Sequence, residues 1–449
     1  MLDAVIVGGG IAGLASAWDL RNRDILVLEA SDRLGGRIRS ETRDPYWLNL
    51  GAHVFSGPGS ATARLCADVG VEVASVPGQL AAVELNGRLV VGGRPELYPL
   101  RLPLTASERV ALSKAGVRLR LAVARYRNAA APREGESAPQ ARRRLLQFGD
   151  DQTFADWLGP MSGDADALFR TTVIRSTAEP EEISAGQGIG YFALVWSKGG
   201  GLSRNIIGGA GRLIEGIAAE LGDAVVTSAE VTGVAEHGDV VEVSYLRDGR
   251  EQVAAARHVV MATKAFDTAR LVPRLPDDTR SALSAIPYGP TVVMAVLTGE
   301  TGPMPWDGTY ALATPKRSFT MLFNMGNAVH SEHGHVRRGG SFMMYRSAHA
   351  ALELFELPED RIERLFLDDL AAVFPQTRGL VRETTLLKLP RMLPYPAPGR
   401  AALQPALDRP LGRIHLAGDY LGGVYSDTSI ASGQEAALAI RRSTPSAAR

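Results

Sequence analysis

The sequence predicts an α/β fold centred on a nucleotide-binding βαβ unit at the amino terminus, on three observations. Ala4-Val5-Ile6-Val7 is a short apolar run that passes directly into Gly8-Gly9-Gly10-Ile11-Ala12-Gly13. A helix-like segment follows to about Leu20, and a second apolar run, Ile25-Leu26-Val27-Leu28, ends at Glu29. Glu29 stands 19 residues beyond Gly10, near the ~20 that separates a glycine fingerprint from an acid on ribose hydroxyls.

Each part has a physical reason. Gly8 permits the tight turn, Gly10 lets the backbone approach a pyrophosphate, and Gly13 lets helix and strand pack closely. The helix N-terminus at Ile11 and Ala12 points free N–H groups and a partial positive charge at the phosphates. An acid at the ribose argues against a 2′-phosphate, and so against NADP. A lone glycine turn is weak evidence; strand, turn, helix, strand and acid in order are much stronger.

The continuation separates FAD from NAD. Glu29-Ala30-Ser31-Asp32-Arg33-Leu34-Gly35-Gly36-Arg37 resembles the signature of the flavin-containing amine oxidase and protoporphyrinogen oxidase superfamily. The resemblance implies a Rossmann-like FAD-binding domain with an inserted mixed α+β substrate domain. It also implies that Glu29 and Ala30 lie at the adenosine ribose and that Gly36 and Arg37 run along the FAD diphosphate.

Composition bounds the rest. At 449 residues the chain is long for a single core, so two domains are expected. Hydrophobic residues make up 45 % and charged residues 22 %, as in soluble globular proteins. The formal net charge is zero, so no global field favours nucleic acid. Only five of the 49 basic residues are lysines, a bias that reflects the genome rather than mechanism. Cys66 is the only cysteine, which excludes an intramolecular disulfide and suits a small buried apolar role. The first apolar run is too short for a signal peptide, and no stretch reaches the ~20 apolar residues of a membrane span. A cytoplasmic address is expected.

Along the chain, Leu48-Asn49-Leu50-Gly51-Ala52-His53-Val54-Phe55 matches a segment that passes the flavin ring in the superfamily, with Asn49 where an acid is usual. Gly51, Ala52 and His53 are therefore expected at the cofactor. His53 either polarises a group near the isoalloxazine or is satisfied by backbone. Residues 60–70 read as a short helix ending at Gly70, and Leu89-Val90-Val91 as a strand. Residues 105–127 read as a helix, although Val117, Leu119, Leu121 and Val123 also alternate like a strand. A basic amphipathic stretch here, continuing to Arg142-Arg143-Arg144, can lie peripherally on the inner face of an anionic membrane. A solvated helix face over a core is the commoner use. Thr153-Phe154-Ala155-Asp156-Trp157-Leu158 starts another helix, and Glu181-Glu182-Ile183-Ser184-Ala185 resembles the helical lobe of protoporphyrinogen oxidase-like proteins.

At Gly208-Gly209-Ala210-Gly211-Arg212-Leu213 the chain is expected to return to the nucleotide domain. The family resemblance places the backbone of Val231 against adenine. Val240-Val241-Glu242-Val243-Ser244-Tyr245 with Asp248-Gly249 reads as a hairpin, and residues 258–263 as a buried strand. Residues 291–297, 320–325 and 341–345 supply strands of a substrate-domain sheet. His330, His333 and His335 fall in a glycine- and arginine-rich segment read as a solvated loop, so no metal site is expected.

Ile414-His415-Leu416-Ala417-Gly418-Asp419 is a strand running into Gly-Asp, and Ser429-Ile430-Ala431-Ser432-Gly433 opens a helix. This resembles the superfamily's second FAD motif. It implies that Gly418 and Asp419 sit at the ribityl or diphosphate region and that the helix N-terminus, with Ser429 and Ile430, faces the flavin pyrimidine. A helix N-terminus stabilises the negative charge a reduced flavin carries there, and the Ile430 amide is the expected donor.

The family's amine oxidases commonly place a lysine near flavin N5, and Val293 falls at that position. Of the two rings of their amine cage, Tyr425 matches one; the other falls near Met392, with Tyr395 close by. The cysteine of covalent flavin attachment is absent, so non-covalent FAD is expected. These departures favour dehydrogenation of a hydrophobic or cyclic metabolite, with dioxygen or another acceptor reoxidising the flavin. Tyr425 and His53 are the catalytic candidates, and Met343, Tyr345, Met392, Tyr395 and Tyr425 the pocket walls. An amine or amino-acid oxidase, and a non-catalytic prenyl- or lipid-binding protein on the same fold, are the alternatives. The expected division is 1–73, 201–278 and 391–449 for the FAD domain, and 74–200 and 279–390 for the substrate domain with its helical lobe. The expected partners are a small-molecule substrate, an electron acceptor and, for assembly, a second copy in a homodimer.

Overall fold

Short apolar runs buried on both faces make the parallel core of the molecule. The computed structural model describes residues 1–76, 82–93, 97–196, 202–333, 338–423 and 425–443, with the side chains of all but 195 and 330–333. Leu2–Val7 lies between Ile25–Leu28 and Arg250–Met261, parallel to both, with Ala4 opposite Ile25 and His258. Val225–Val226 extends the sheet beyond Ile25–Leu28, and Ile414–Leu416 adds in parallel beside Arg250–Met261. Val240–Arg247 and Ala229–His237 complete seven strands as an antiparallel flap.

The period of two sorts the side chains between layers. Ala4, Ile6, Val27 and Val260 pack under helices Ile11–Asp19, Gly211–Leu221 and Ser426–Ser443. Val5, Val7, Val259 and Met261 face the opposite layer, with Ala265, Ala269, Ala282, Leu283 and Leu407. The carboxyl-terminal helix crosses the first helix closely: a Cβ on Gly433 would collide with the Ala12 carbonyl.

A second seven-stranded sheet runs in the order Val381–Pro394, Tyr288–Thr298, Gly340–Ser347, Met321–Asn324, Ala311–Ala313, Ala82–Leu85 and Arg88–Val91. Its outer face, with Val292, Met294, Phe342 and Met344, is closed by Ile362, Phe366 and Leu370, on helix Glu359–Val373. Its inner face carries Val293, Met321, Phe323, Met343 and Tyr345 and packs on Tyr46, Trp47 and Leu48. Alternation along two adjacent strands thus aims Val293, Met343 and Tyr345 at the nucleotide half.

Residues 106–195 contribute a helical lobe, beginning with the 25-residue helix Ala106–Ala130. Thr105 and Glu108 form a capping box at its start. The strand-like alternation at 117–123 does not mark a buried face, since Val117 and Leu121 are exposed while Leu119 and Val123 are buried. Two expected domain limits fall inside strands: residue 73 in Val73–Ser75, which pairs with Leu202–Ile206, and residue 390 in Val381–Pro394. The segment read as a solvated loop is in part helical, Gly326–His333; the side chains of His330 and His333, and His335 itself, lie outside the described residues. Among the described residues no helix is long and apolar enough to cross a membrane.

Candidate active site

One elongated cavity of about 640 Å³ joins the two ends of the chain. Its floor at one end is the first βαβ unit. Gly8 has φ +105° and Gly10 is the N-cap of helix Ile11–Asp19. A Cβ on Gly10 would meet nothing within 4 Å, so this cradle is open toward the cavity. Glu29 is held there by local bonds: one oxygen accepts from Gly9 N at 2.7 Å, the other from Ser31 N at 2.9 Å and from Ser31 Oγ at 2.7 Å. Ile11, Ala12, Ala30, Gly36 and Val231 also line this end. Gly13 does not; a Cβ there would strike the Gly8 carbonyl, so its glycine serves helix–strand packing.

At mid-cavity Arg37 Nη1 and Nη2 donate to Asp419 Oδ2 and Oδ1 at 2.6 and 3.0 Å, and Nη1 also reaches the Met392 carbonyl at 2.9 Å. This fork-to-fork geometry joins the amino- and carboxyl-terminal motifs. Lys264, just past the end of Arg250–Met261, also lines the cavity, with Arg391. Burial and neighbouring Arg37 press the lysine pKa down.

The carboxyl-terminal helix begins at Ser426, three residues earlier than expected. The Tyr425 carbonyl accepts from Thr428 N and Ser429 N at 3.0 and 3.2 Å. Ser426, Asp427 and Ser429 line the cavity. Ile430 does not: it is fully buried in the core beneath the first helix, and its amide falls within the helical ladder. Ile430 therefore does not face the cavity as expected; the first-turn residues that line it are Ser426, Asp427 and Ser429.

His53 lines the cavity beside Gly51 and Ala52. Its Nδ1 lies 3.3 Å from the Gly51 carbonyl, which selects the tautomer with the proton on Nδ1. Nε2 is buried without a partner, and burial drives the pKa down to about 4. The ring is thus a neutral acceptor at neutral pH, so it cannot polarise a group as a donor. Asn49 explains its own departure from the family: its amide donates to the Gly51 carbonyl at 2.9 Å and to Met343 Sδ at 3.3 Å, which a carboxylate, having no donor, could not do.

The far end is walled by Val293, Phe323, Met343, Tyr345, Leu389, Met392, Tyr191 and Tyr425. Tyr191 and Tyr425 have ring centroids 5.9 Å apart, and burial holds both phenols protonated. Tyr395 is a second correction. It is absent from this lining, packs in the helical-lobe cluster, and directs its hydroxyl to Glu182 Oε1 at 3.4 Å. Its backbone N–H donates to the Pro287 carbonyl at 3.1 Å. Arg175, Tyr191 and Phe323 were not anticipated. The only signal for Arg175 was a lone arginine in Val173-Ile174-Arg175-Ser176; nothing distinguished the two rings from core.

The donor set suits an extended dinucleotide: an acid at one end, open backbone and a cation midway, and a helix N-terminus beyond. Comparison with known proteins agrees. The family model described as flavin containing amine oxidoreductase matches residues 11–441. The flavin-containing amine oxidase A of Canis lupus familiaris is 28 % identical over 309 residues, 64 % of this chain and 55 % of that protein. The chain thus spans about half the length of the curated amine oxidases it matches. The coproporphyrinogen III oxidase of Staphylococcus aureus is 33 % identical over 102 residues, 22 % of this chain and 21 % of that one. A triple mutant of putrescine oxidase superposes with TM-score 0.78 at 20 % identity, covering 99 % of both chains, a likeness of fold. The chain belongs to the flavin-containing amine oxidoreductase family, whose cofactor is FAD.

Proposed function

We propose that the protein is an FAD-dependent oxidoreductase that dehydrogenates a hydrophobic or cyclic small-molecule metabolite. Bound FAD would supply the hydride acceptor, and dioxygen or another acceptor would restore it. The observation that carries this reading is the inner face of the second sheet. Val293, Phe323, Met343, Leu389 and Met392 offer an apolar surface with no lysine at the position amine oxidases use. These side chains orient a substrate by shape and exclude water. His53 can take a hydrogen bond at Nε2 but is too weak a base to hold a proton at neutral pH. Glu29, Ala30 and Val231 are proposed to hold the adenosine end, Gly10, Gly36, Arg37, Gly418 and Asp419 the phosphates and ribityl chain, and the amides of Ser426 and Asp427 the pyrimidine edge.

The attachment is proposed to be non-covalent, because Cys66, the only cysteine, is buried in the core and absent from the cavity lining. The division proposed is an FAD domain built on the first sheet and a substrate domain built on the second. A cytoplasmic address remains part of the proposal, with Val110, Val117 and Leu121 exposed on the basic helix Ala106–Ala130 as its surface for any peripheral membrane contact.

A second reading is an amine or amino-acid oxidase forming an imine and hydrogen peroxide. The paired rings of Tyr191 and Tyr425 and the names of the relatives favour it. Mixing the purified yellow protein anaerobically with a porphyrinogen, cyclic non-basic C–H donors and an amine panel separates the two. Loss of flavin absorbance with the non-basic donors supports the first reading; loss with simple amines alone overturns it.

A further inference from the structure

We infer that Arg175 is the anchor for a carboxylate on the substrate, so that the cavity takes an anionic small molecule; this rests on the proposed oxidoreductase reading. Arg175 sits in the single 3₁₀ turn Ile174–Ser176 that ends helix Gly163–Val173, and it lines the cavity. The residue that closes the turn, Thr177, has φ +68°, a left-handed conformation that non-glycine residues rarely adopt. The turn is locked in place: Thr177 Oγ1 donates to the Leu393 carbonyl at 3.2 Å, and a Cβ on Gly289 would strike the Thr177 carbonyl. Two strands of the second sheet therefore hold the backbone that carries Arg175.

The neighbouring arginines show what is unusual. Arg170, on the same helix, has Asp166, Glu179 and Glu181, and Arg37 has Asp419. Among the described residues no carboxylate lies within ion-pair distance of Arg175. Its positive charge acts instead on His53, Tyr191, Tyr345 and Tyr425, and its guanidinium carbon is 6.0 Å from the Phe323 ring centre. All five neighbours are neutral at physiological pH. A guanidinium in such surroundings lacks a counter-charge; the Tyr345 hydroxyl accepts from it and Tyr191 donates to Tyr425, which leaves the hydroxyls of Tyr345 and Tyr425 as donors beside it. A planar carboxylate matches the guanidinium fork and completes the set. The same charge repels an ammonium group, which weighs against a simple amine as substrate.

The test reads ligand binding without turnover. The FAD-loaded protein is titrated with benzoate, benzamide and benzylamine, three planar probes that differ in charge, and flavin difference spectra are recorded. Benzoate should bind roughly 10- to 100-fold more tightly than benzamide, the range expected for a charge-assisted pair, and benzylamine weakest. Arg175→Met should abolish the preference for benzoate while leaving benzamide binding and FAD content unchanged, and Arg175→Lys should restore part of it. Equal binding of the three probes, or a uniform loss with all three in Arg175→Met, overturns the inference. If Arg175→Met does not fold, the wild-type series and Arg175→Lys still decide it. Failure here with flavin still reduced by uncharged cyclic donors sinks the anion anchor alone. Benzoate preference with reduction by amines alone sinks the dehydrogenation reading and leaves the anchor.

Discussion

Arg37 and Asp419, 382 positions apart in the chain, form a two-pronged ion pair in the middle of the cavity, with oxygen–nitrogen distances of 2.6 and 3.0 Å. Asp419 is almost fully buried, whereas the Arg37 side chain is 30 % exposed. Asp419→Ala would leave the arginine without its counter-charge. Given that partial exposure, the loss should fall between surface and buried extremes, roughly 1–3 kcal/mol. Urea denaturation of wild type, Asp419→Ala and Asp419→Asn measures it, with Asn losing less because it keeps an acceptor. No change in midpoint for the alanine variant would mean the pair contributes nothing.

Two glycines in one fingerprint should behave differently. Gly10→Val meets open space, so the FAD-free protein should keep its stability within about 0.5 kcal/mol while FAD affinity falls tenfold or more. Gly13→Ala should instead destabilise the protein by about 1–3 kcal/mol through overpacking against Gly8. Glu29→Ala should likewise weaken FAD retention. Melting curves with and without added FAD distinguish the two glycine effects; equal FAD affinity in Gly10→Val and wild type contradicts the placement of the pyrophosphate.

His53 predicts a pH dependence. Its folded pKa of about 4 lies below the ordinary value of 6.5. Between these values the unfolded chain binds the proton and the folded chain does not, so stability falls as pH drops from 6.5 to 4 and levels off below. The contribution is at most about 3 kcal/mol. His53→Gln should flatten part of that slope but not all of it, since burial also lowers His415 to about 4 and shifts its neighbour His258 down. Identical slopes for variant and wild type would show that His53 is not held neutral by the fold.

Tyr425 walls the far end of the cavity. Tyr425→Phe keeps the ring against Tyr191 and should change kcat/KM less than about threefold. Tyr425→Ala removes the wall and should cost roughly 10- to 100-fold, about 1.4–3 kcal/mol of transition-state stabilisation. A large loss in the phenylalanine variant would assign the hydroxyl a chemical role.

Much of the nucleotide half was legible because backbone geometry writes itself into residue type. Gly8 takes the positive φ of its turn, Gly10 caps the first helix over open space, Glu29 reaches the same cavity, and Ser60 and Gly70 bracket the helix Ala61–Val69 as caps. The errors came where tertiary context decides. Ile430 was placed one turn too early in its helix because no local signal marks Ser426 as the start. Tyr395 lies outside the lining although it neighbours Met392 in sequence, because nearness along the chain says nothing about which way a ring turns. Arg175 was invisible, since only the packed lobe reveals that it lacks a carboxylate.

The central claim is that this chain holds FAD along the cavity between its two ends. The visible absorption spectrum of the purified protein, before and after addition of FAD and removal of the excess, tests it most directly. The account predicts a flavin spectrum at one equivalent per chain, reduced in Glu29→Ala. A colourless protein that takes up no FAD would contradict it.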